Sequence, residues 1–175
     1  MLHRISVPNM RNRNLKAATL VEVIVVMAVV SILAGVLIVS LRGGRVTKEL
    51  EASAREFTSV VREAQNYALT GKQIAGNDTC SFSVEWTGGS SRYEMKYAEA
   101  GNCGTSQSVP GTVYNLKQRV TFGGGSGSRS ITFILPWANV SGTTTVSFQK
   151  SGSFHVVCIS DRTGKISDQP GTICP

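Results

Sequence analysis

Glu22 is the only charged residue between Lys16 and Arg42, in a run that is otherwise mostly apolar. A carboxylate inside a membrane-length apolar helix costs free energy unless a partner pairs with it, so such a residue is expected to serve a function. The leader before the run is basic and contains no acidic residue: its charges are Arg4, Arg11, Arg13 and Lys16. This arrangement predicts an ionic partner for Glu22.

Two helical patterns position Glu22 in the chain. Val23–Leu41 holds nineteen uncharged, mostly apolar residues, close to the roughly 20 that span a bilayer as a helix. An amphipathic pattern follows over about residues 45–70, and Gly71 is expected to end it. Its apolar residues recur at spacings of four and three; they are Val46, Leu50, Ala54, Phe57, Val61, Ala64 and Ala68.

The chain after Gly76 is rich in β-branched and aromatic residues separated by turn-forming glycines and serines. Gly123–Ser128 is expected to be a loop or hairpin tip. The apolar stripe of the helix needs a partner, and an antiparallel sheet with one apolar face supplies it. The fold class is therefore α+β, with strands predicted at Cys80–Trp86, Arg92–Tyr97, Val113–Phe122, Ser130–Leu135, Thr144–Gln149 and Phe154–Ile159.

The basic leader and the run beginning Ala17-Ala18-Thr19-Leu20-Val21-Glu22 resemble the N-terminus of type IV pilins and type II secretion pseudopilins. In that family a prepilin peptidase cuts at the cytoplasmic face, and the fifth residue of the mature chain is glutamate. The resemblance implies a cut between Ala17 and Ala18 and methylation of Ala18. It departs from the family in having alanine on both sides of the cut, where glycine and a large apolar residue are usual.

The alternatives for this segment are an ordinary secretory signal and a plain membrane anchor. A secretory signal has a charge-free apolar core that ends in a small-x-small cleavage site. Glu22 lies inside the core, and Ile32-Leu33-Ala34 is a poor cleavage sequence. A plain anchor has no use for the carboxylate, so the pilin-type interpretation is favoured.

Segments at the end of the helix and in the β region resemble one group within this family. Arg62–Lys72, Ile131-Thr132-Phe133 and Asp161–Ile166 look like the corresponding segments of the GspH/FimT group of minor pilins and pseudopilins. The implied organisation is a leader at 1–17, a pilin helix at 18–72 with its transmembrane part at about 20–41, and a globular β domain at 73–175.

All four cysteines lie after the apolar run, and none forms a CxxC pair, so zinc binding is not expected. An even number in an exported domain favours two disulfides. Of the three connectivities we favour the sequential one, Cys80–Cys103 and Cys158–Cys174, because each closes a short loop. Buried free thiols are the alternative.

No motif indicates an enzyme, a metal or a cofactor. Ser153, His155 and Asp161 are close in sequence but lack a nucleophile elbow. The glycine-rich stretch lacks the Lys-Ser/Thr of a P-loop and precedes a strand. His155 is expected to be a solvent-facing or hydrogen-bonded strand residue.

Nucleic acid is a possible partner that the charges do not favour. The net charge is +7, but from Gln73 onward eight basic residues face six acidic ones, about +2. Some members of the GspH/FimT group bind DNA through a basic segment after a Thr-Gly turn. Here the candidates are Arg162 and Lys165, on either side of Thr163-Gly164, with Lys150 and Arg129 as further ones. Asp161 and Asp168 flank the first two, and clustered cations are what phosphate binding requires.

The resemblance implies a minor pilin or pseudopilin precursor with a cytoplasmic N-terminus, a single span of the inner membrane and an exported domain, later part of a periplasmic or extracellular filament. Its expected partners are other pilins, the prepilin peptidase, the assembly platform and membrane lipid. Glu22 would pair with the new amino group of Ala18 on a neighbouring subunit. The alternative is a DNA-binding minor pilin of a competence pilus. The sequence does not distinguish a pilus from a secretion pseudopilus.

Overall fold

The computed structural model describes residues 19–161 and 163–174, and it describes no side chains at 36–43. The chain divides into two compact units between Leu41 and Arg42. A single helix, α1 (Leu20–Thr70), runs through both units. It is followed by antiparallel strands, so the expected α+β class is confirmed.

The second part of α1 supplies one layer of the hydrophobic core. The predicted stripe is buried from Leu50 to Ala68, and Val46 is half-buried against the same core. The opposite face is polar, and Arg55 pairs there with Glu51 at 2.5 Å. The amphipathic interpretation of this segment is therefore confirmed.

The helix ends where the sequence predicted. Gly71 has a φ of +62°, a left-handed conformation that only glycine adopts without steric cost. The turn closes with the Lys72 amide donating to the Tyr67 carbonyl at 3.0 Å. This geometry satisfies an otherwise unpaired carbonyl at the helix C-terminus.

The β region forms two antiparallel sheets instead of one. The five-stranded sheet has the order β3-β2-β1-β5-β6, and the four-stranded sheet has the order β4-β7-β8-β9. The strands are β1 (Thr79–Thr87), β2 (Arg92–Glu99), β3 (Ser106–Asn115), β4 (Thr121–Phe122), β5 (Ser128–Ile134), β6 (Asn139–Gly142), β7 (Thr145–Lys150), β8 (Ser153–Ile159) and β9 (Ile166–Pro170).

The prediction of one strand over Val113–Phe122 is wrong, because β3 and β4 lie in different sheets. Gln118 and Arg119 between them both have a φ of +61°, which breaks the extended conformation. The strands β6 and β9 were not predicted. Both lie at sheet edges and expose most of their residues, so neither carries an apolar alternation.

Phe57 joins the helix to both sheets. Its ring makes edge-on contacts with Trp86 and Tyr93 of the five-stranded sheet, at centroid distances of 5.5 and 5.3 Å. It makes equivalent contacts with Phe122 and Phe148 of the four-stranded sheet, both at 5.5 Å. One aromatic cluster therefore holds the three layers together.

The two disulfides are Cys80–Cys103 and Cys158–Cys174, with Cα–Cα distances of 5.9 and 5.8 Å. This is the sequential connectivity. The first ties the start of β1 to the loop between β2 and β3. The second ties β8 to the segment after β9, so each links a strand to an exposed peripheral segment.

Candidate assembly segment and surface loops

Glu22 lies in the first turn of α1. Its amide donates to the Thr19 carbonyl at 3.0 Å and lies 3.4 Å from the Thr19 hydroxyl. Thr19 therefore acts as the N-cap. A carboxylate in the first turn is also stabilised by the positive end of the helix dipole.

Thr19 and Glu22 have the spacing of a capping box, in which a Ser or Thr precedes a Glu by three residues. Sequence reasoning read Glu22 only as an intersubunit group and missed this local role. The signal was present, because a Thr-x-x-Glu pattern directly before an apolar run is typical of a helix start. The two roles are compatible, since the amide makes the cap and the carboxylate is exposed.

Ala17 and Ala18 lie outside the described residues, as does the leader. Cleavage between them and methylation of Ala18 therefore remain predictions. The residues that follow directly, Thr19 and Leu20, are exposed. The structure thus describes the chain from the second residue after the proposed cut.

The first part of α1 exposes large apolar side chains around the helix. Between Leu20 and Leu33 every large hydrophobic side chain is at least 48 % exposed. A helix that is apolar on all sides requires lipid or other helices around it.

Among the residues that the structure describes, no helix is both long enough and apolar enough to cross a membrane. The span at about 20–41 stays a prediction.

The proposed nucleic-acid loop connects β8 to β9 and packs against α1. The Lys165 carbonyl accepts a hydrogen bond from the Ser160 amide at 2.9 Å, and the Gln65 side chain donates to the Gly164 carbonyl at 3.3 Å. Lys165 is exposed, and so is Asp161 in the same turn. Arg162 lies outside the described residues, so the predicted pair is not seen together.

Two other lysines of the β region pair with carboxylates of α1. Lys150 lies 2.5 Å from Glu49 of α1, and Lys117 lies 3.2 Å from Glu56. These pairs tie the β3–β4 connection and β7 to the helix. Because each cation already has an anionic partner, they contribute little to a site for phosphate.

Lys96 bridges two acidic side chains on the five-stranded sheet, at 2.6 Å from Glu85 and 3.2 Å from Glu94. The hydrogen bond to Glu85 raises the pKa of Lys96, and burial opposes this only in part. Burial pushes the pKa of Glu94 upward, but hydrogen bonds from Lys96 and Ser108 outweigh it and lower the pKa. Both shifts favour the charged forms, of Lys96 and of Glu94.

His155 is buried on β8, and its Nε2 lies 3.2 Å from Asp168 Oδ2 on β9. The ring is therefore held by a cross-strand carboxylate, in agreement with the expectation of a hydrogen-bonded strand residue. Ser153 and Asp161, its neighbours in sequence, are both exposed.

The family model for the prokaryotic N-terminal methylation motif matches residues 12–38. The matched segment includes Ala17, Ala18 and Glu22. A search of curated proteins found no match to the chain, and a search of solved structures found none either. The chain thus carries a type IV pilin-like prepilin signal ahead of an α+β domain with two disulfides.

Proposed function

We propose that this chain is the precursor of a minor pilin or pseudopilin of the GspH/FimT type. The observation that carries the proposal is the N-terminal methylation motif at residues 12–38. The capped start of α1 at Thr19 and the exposed apolar side chains from Leu20 to Leu33 support it. In this proposal the chain is a single-pass inner-membrane protein before it enters a filament.

Glu22 sets the register of subunits in the filament. Apolar helices bundle in the filament core after leaving the lipid, and cleavage before Ala18 creates a new positively charged amino group. In that low-dielectric core, attraction between the amino group and a neighbouring Glu22 is much stronger than at a water-exposed surface. Removing one partner of such a pair leaves an uncompensated buried charge.

A DNA-binding minor pilin is the alternative. The exposure of Lys165 supports it. Asp161 in the same turn and the carboxylate partners of Lys117 and Lys150 argue against it, because several free, clustered cations are needed for tight phosphate binding.

N-terminal processing tests the proposal. The precursor is co-expressed with a prepilin peptidase, and the product is analysed by N-terminal sequencing and intact mass. The expected mature chain begins at Ala18 and carries one added methyl group. A chain that remains uncut, or one that begins after Ala34, contradicts the proposal.

A matched pair of variants sharpens the experiment. Ala17→Phe places a bulky side chain at the proposed cut and should block processing. Val21→Phe adds a bulky side chain of the same size inside the apolar run and should leave processing intact. Equal processing of both variants would place the cut elsewhere.

A further inference from the structure

A basic surface lies near the start of the second compact unit, which begins at Arg42. It consists of three exposed cationic side chains, Arg45 and Lys48 on α1 and Arg119 on the β3–β4 connection. Arg45 follows Leu41, the last residue of the predicted span, by only four positions. The role proposed for this chain in filament assembly does not use the basic surface.

The β3–β4 connection is held beside the helix. Lys150 of β7 joins the two elements, because its Nζ lies 2.5 Å from Glu49 Oε2 and also donates to the Gln118 carbonyl. Lys48, the neighbour of Glu49, lines a cavity of about 320 Å³ together with Gln118. Gln118 also lines a second cavity, which has Arg119 in its wall. Lys48 and Arg119 therefore belong to one continuous surface.

The cations of the basic surface are not neutralised by the carboxylates of the described residues. None of the ion pairs seen there includes Arg45, Lys48 or Arg119. The acidic side chains on this stretch of α1 each have another basic partner, namely Lys150 for Glu49, Arg55 for Glu51 and Lys117 for Glu56.

The undescribed part of the chain does not reverse this charge. Residues 1–18 and 36–43 contain no Asp or Glu, and residue 162 is an arginine. The segment nearest to the basic surface, 36–43, adds one further cation, Arg42. The surface is therefore positively charged.

We infer that the basic surface binds the anionic phospholipid headgroups of the leaflet from which the β domain emerges. The inference rests on the proposed function, in which the apolar run spans the membrane. At a rise of 1.5 Å per helical residue, Arg45 and Lys48 then follow the end of the span by about 6 and 10 Å. Attraction to an anionic leaflet acts over a Debye length, about 8–10 Å at 0.1–0.15 M salt. Both helix cations, with Arg119 beside Lys48, thus lie within its range.

Two other anionic partners fit the basic surface less well. A DNA duplex would have to approach the side of the domain that faces the bilayer in this placement. A free phosphate compound offers one charged group, whereas a leaflet presents many phosphates at once to cations that lie on two different elements. An anionic leaflet is also the partner that the chain itself brings close, through Leu41 and Arg45.

Lysine acylation of the full-length protein tests the inference. The protein is inserted into vesicles of phosphatidylcholine alone or mixed with phosphatidylglycerol, and a water-soluble acylating reagent is added. Mass spectrometry then gives the labelling of Lys117, which is 73 % exposed beside the basic surface, relative to that of Lys165. Lys165 is exposed in the turn that packs against Gln65, near the end of α1. Lys48 is not the reporter, because it follows the span directly and would be close to lipid without any binding.

The labelling ratio of Lys117 to Lys165 should be roughly fivefold lower in the anionic vesicles than in the neutral ones, the effect of one basic residue near an anionic leaflet. Lys48→Gln combined with Arg119→Gln should abolish this difference. Arg62→Gln combined with Lys72→Gln removes the same charge nearer the end of α1 and should preserve it. Glycerol phosphate or duplex DNA, added to the neutral vesicles, should leave the ratio unchanged.

Several outcomes would overturn the inference. Equal ratios in neutral and anionic vesicles would reject it, and so would an unaltered difference in the Lys48→Gln/Arg119→Gln protein. A lower ratio in neutral vesicles with glycerol phosphate would assign the surface to soluble phosphate compounds, and one with duplex DNA alone would assign it to nucleic acid.

Extraction of the vesicles with alkaline carbonate separates this inference from the proposed function. A protein that stays in the membrane but shows equal ratios would contradict the headgroup contact alone. A protein that alkaline carbonate removes would contradict the membrane span, and the inference with it.

Discussion

The rings of Phe57 and Phe148 meet edge to face with their centroids 5.5 Å apart. This contact joins α1 to the four-stranded sheet, and Phe57 contacts Trp86 of the five-stranded sheet at the same distance. The second part of the helix is thus part of the core of the β domain.

We therefore expect a chain beginning at Arg45 to fold and a chain beginning at Gln73 to remain unfolded. The first retains the buried stripe from Leu50 to Ala68, and the second loses it. Circular dichroism during urea unfolding measures the difference. A cooperative transition in the shorter chain would show that the sheets have a sufficient core without the helix.

Phe57→Ala in the chain beginning at Arg45 should lower the free energy of unfolding by about 3–5 kcal/mol, because it opens a cavity among four rings. Phe154→Ala makes the same chemical change at a position that is 40 % exposed and should cost about 1 kcal/mol or less. Urea midpoints provide both values. Equal losses in the free energy of unfolding would show that Phe57 is not at the centre of the core.

Glu22→Ala should leave insertion and cleavage intact and impair incorporation into filaments. The fall should be at least about tenfold, since breaking a buried ion pair costs about 3–5 kcal/mol. Glu22→Gln keeps the side-chain length and should fail similarly, while Glu51→Ala in an exposed pair should not. Immunoblots of sheared filament and membrane fractions measure incorporation, and wild-type levels of Glu22→Ala would refute the pairing role.

DNA binding by the chain beginning at Arg45 should be weak and salt-sensitive. Labelled duplex is titrated at low and at physiological salt, then again with Arg162→Ala and Lys165→Ala, with Lys72→Ala as a charge-matched control. Each phosphate contact removed should reduce the salt dependence. Tight binding at physiological salt that both loop substitutions abolish would favour the alternative, a DNA-binding minor pilin.

The stability contributed by Glu94 should disappear in acid. Its pKa is lowered in the folded state by Lys96 and Ser108 against the opposing effect of burial. A lowered pKa gives stability that is present above the unfolded pKa and is lost as pH falls through the folded one. The difference in urea midpoint between wild type and Glu94→Gln should therefore shrink below about pH 4. A constant difference from pH 7 to pH 3 would exclude the mechanism.

The helix and the main strands were predictable because their apolar residues recur with a clear period in the sequence. Leu50 to Ala68 recur at helical spacing, and Phe82, Val84 and Trp86 alternate along β1; all of these are buried. Gly71 marked the helix end because no other residue adopts its φ as easily. These are local signals, readable without knowing the partner element.

The division into two sheets was not predictable, because it depends on residues without a local signal. Gln118 and Arg119 adopt positive φ values although neither residue type favours them.

The chain passes between the two sheets three times, from β3 to β4, from β4 to β5 and from β6 to β7. In the five-stranded sheet, Ser81 pairs with Ile134 and Thr87 with Ser128. The partner of β1 is therefore β5, which follows β4 in the chain. In the four-stranded sheet, likewise, β4 pairs with β7, from which β5 and β6 separate it along the chain. Folding of the domain should therefore be slow and all-or-none, as is usual when distant pairings must form together.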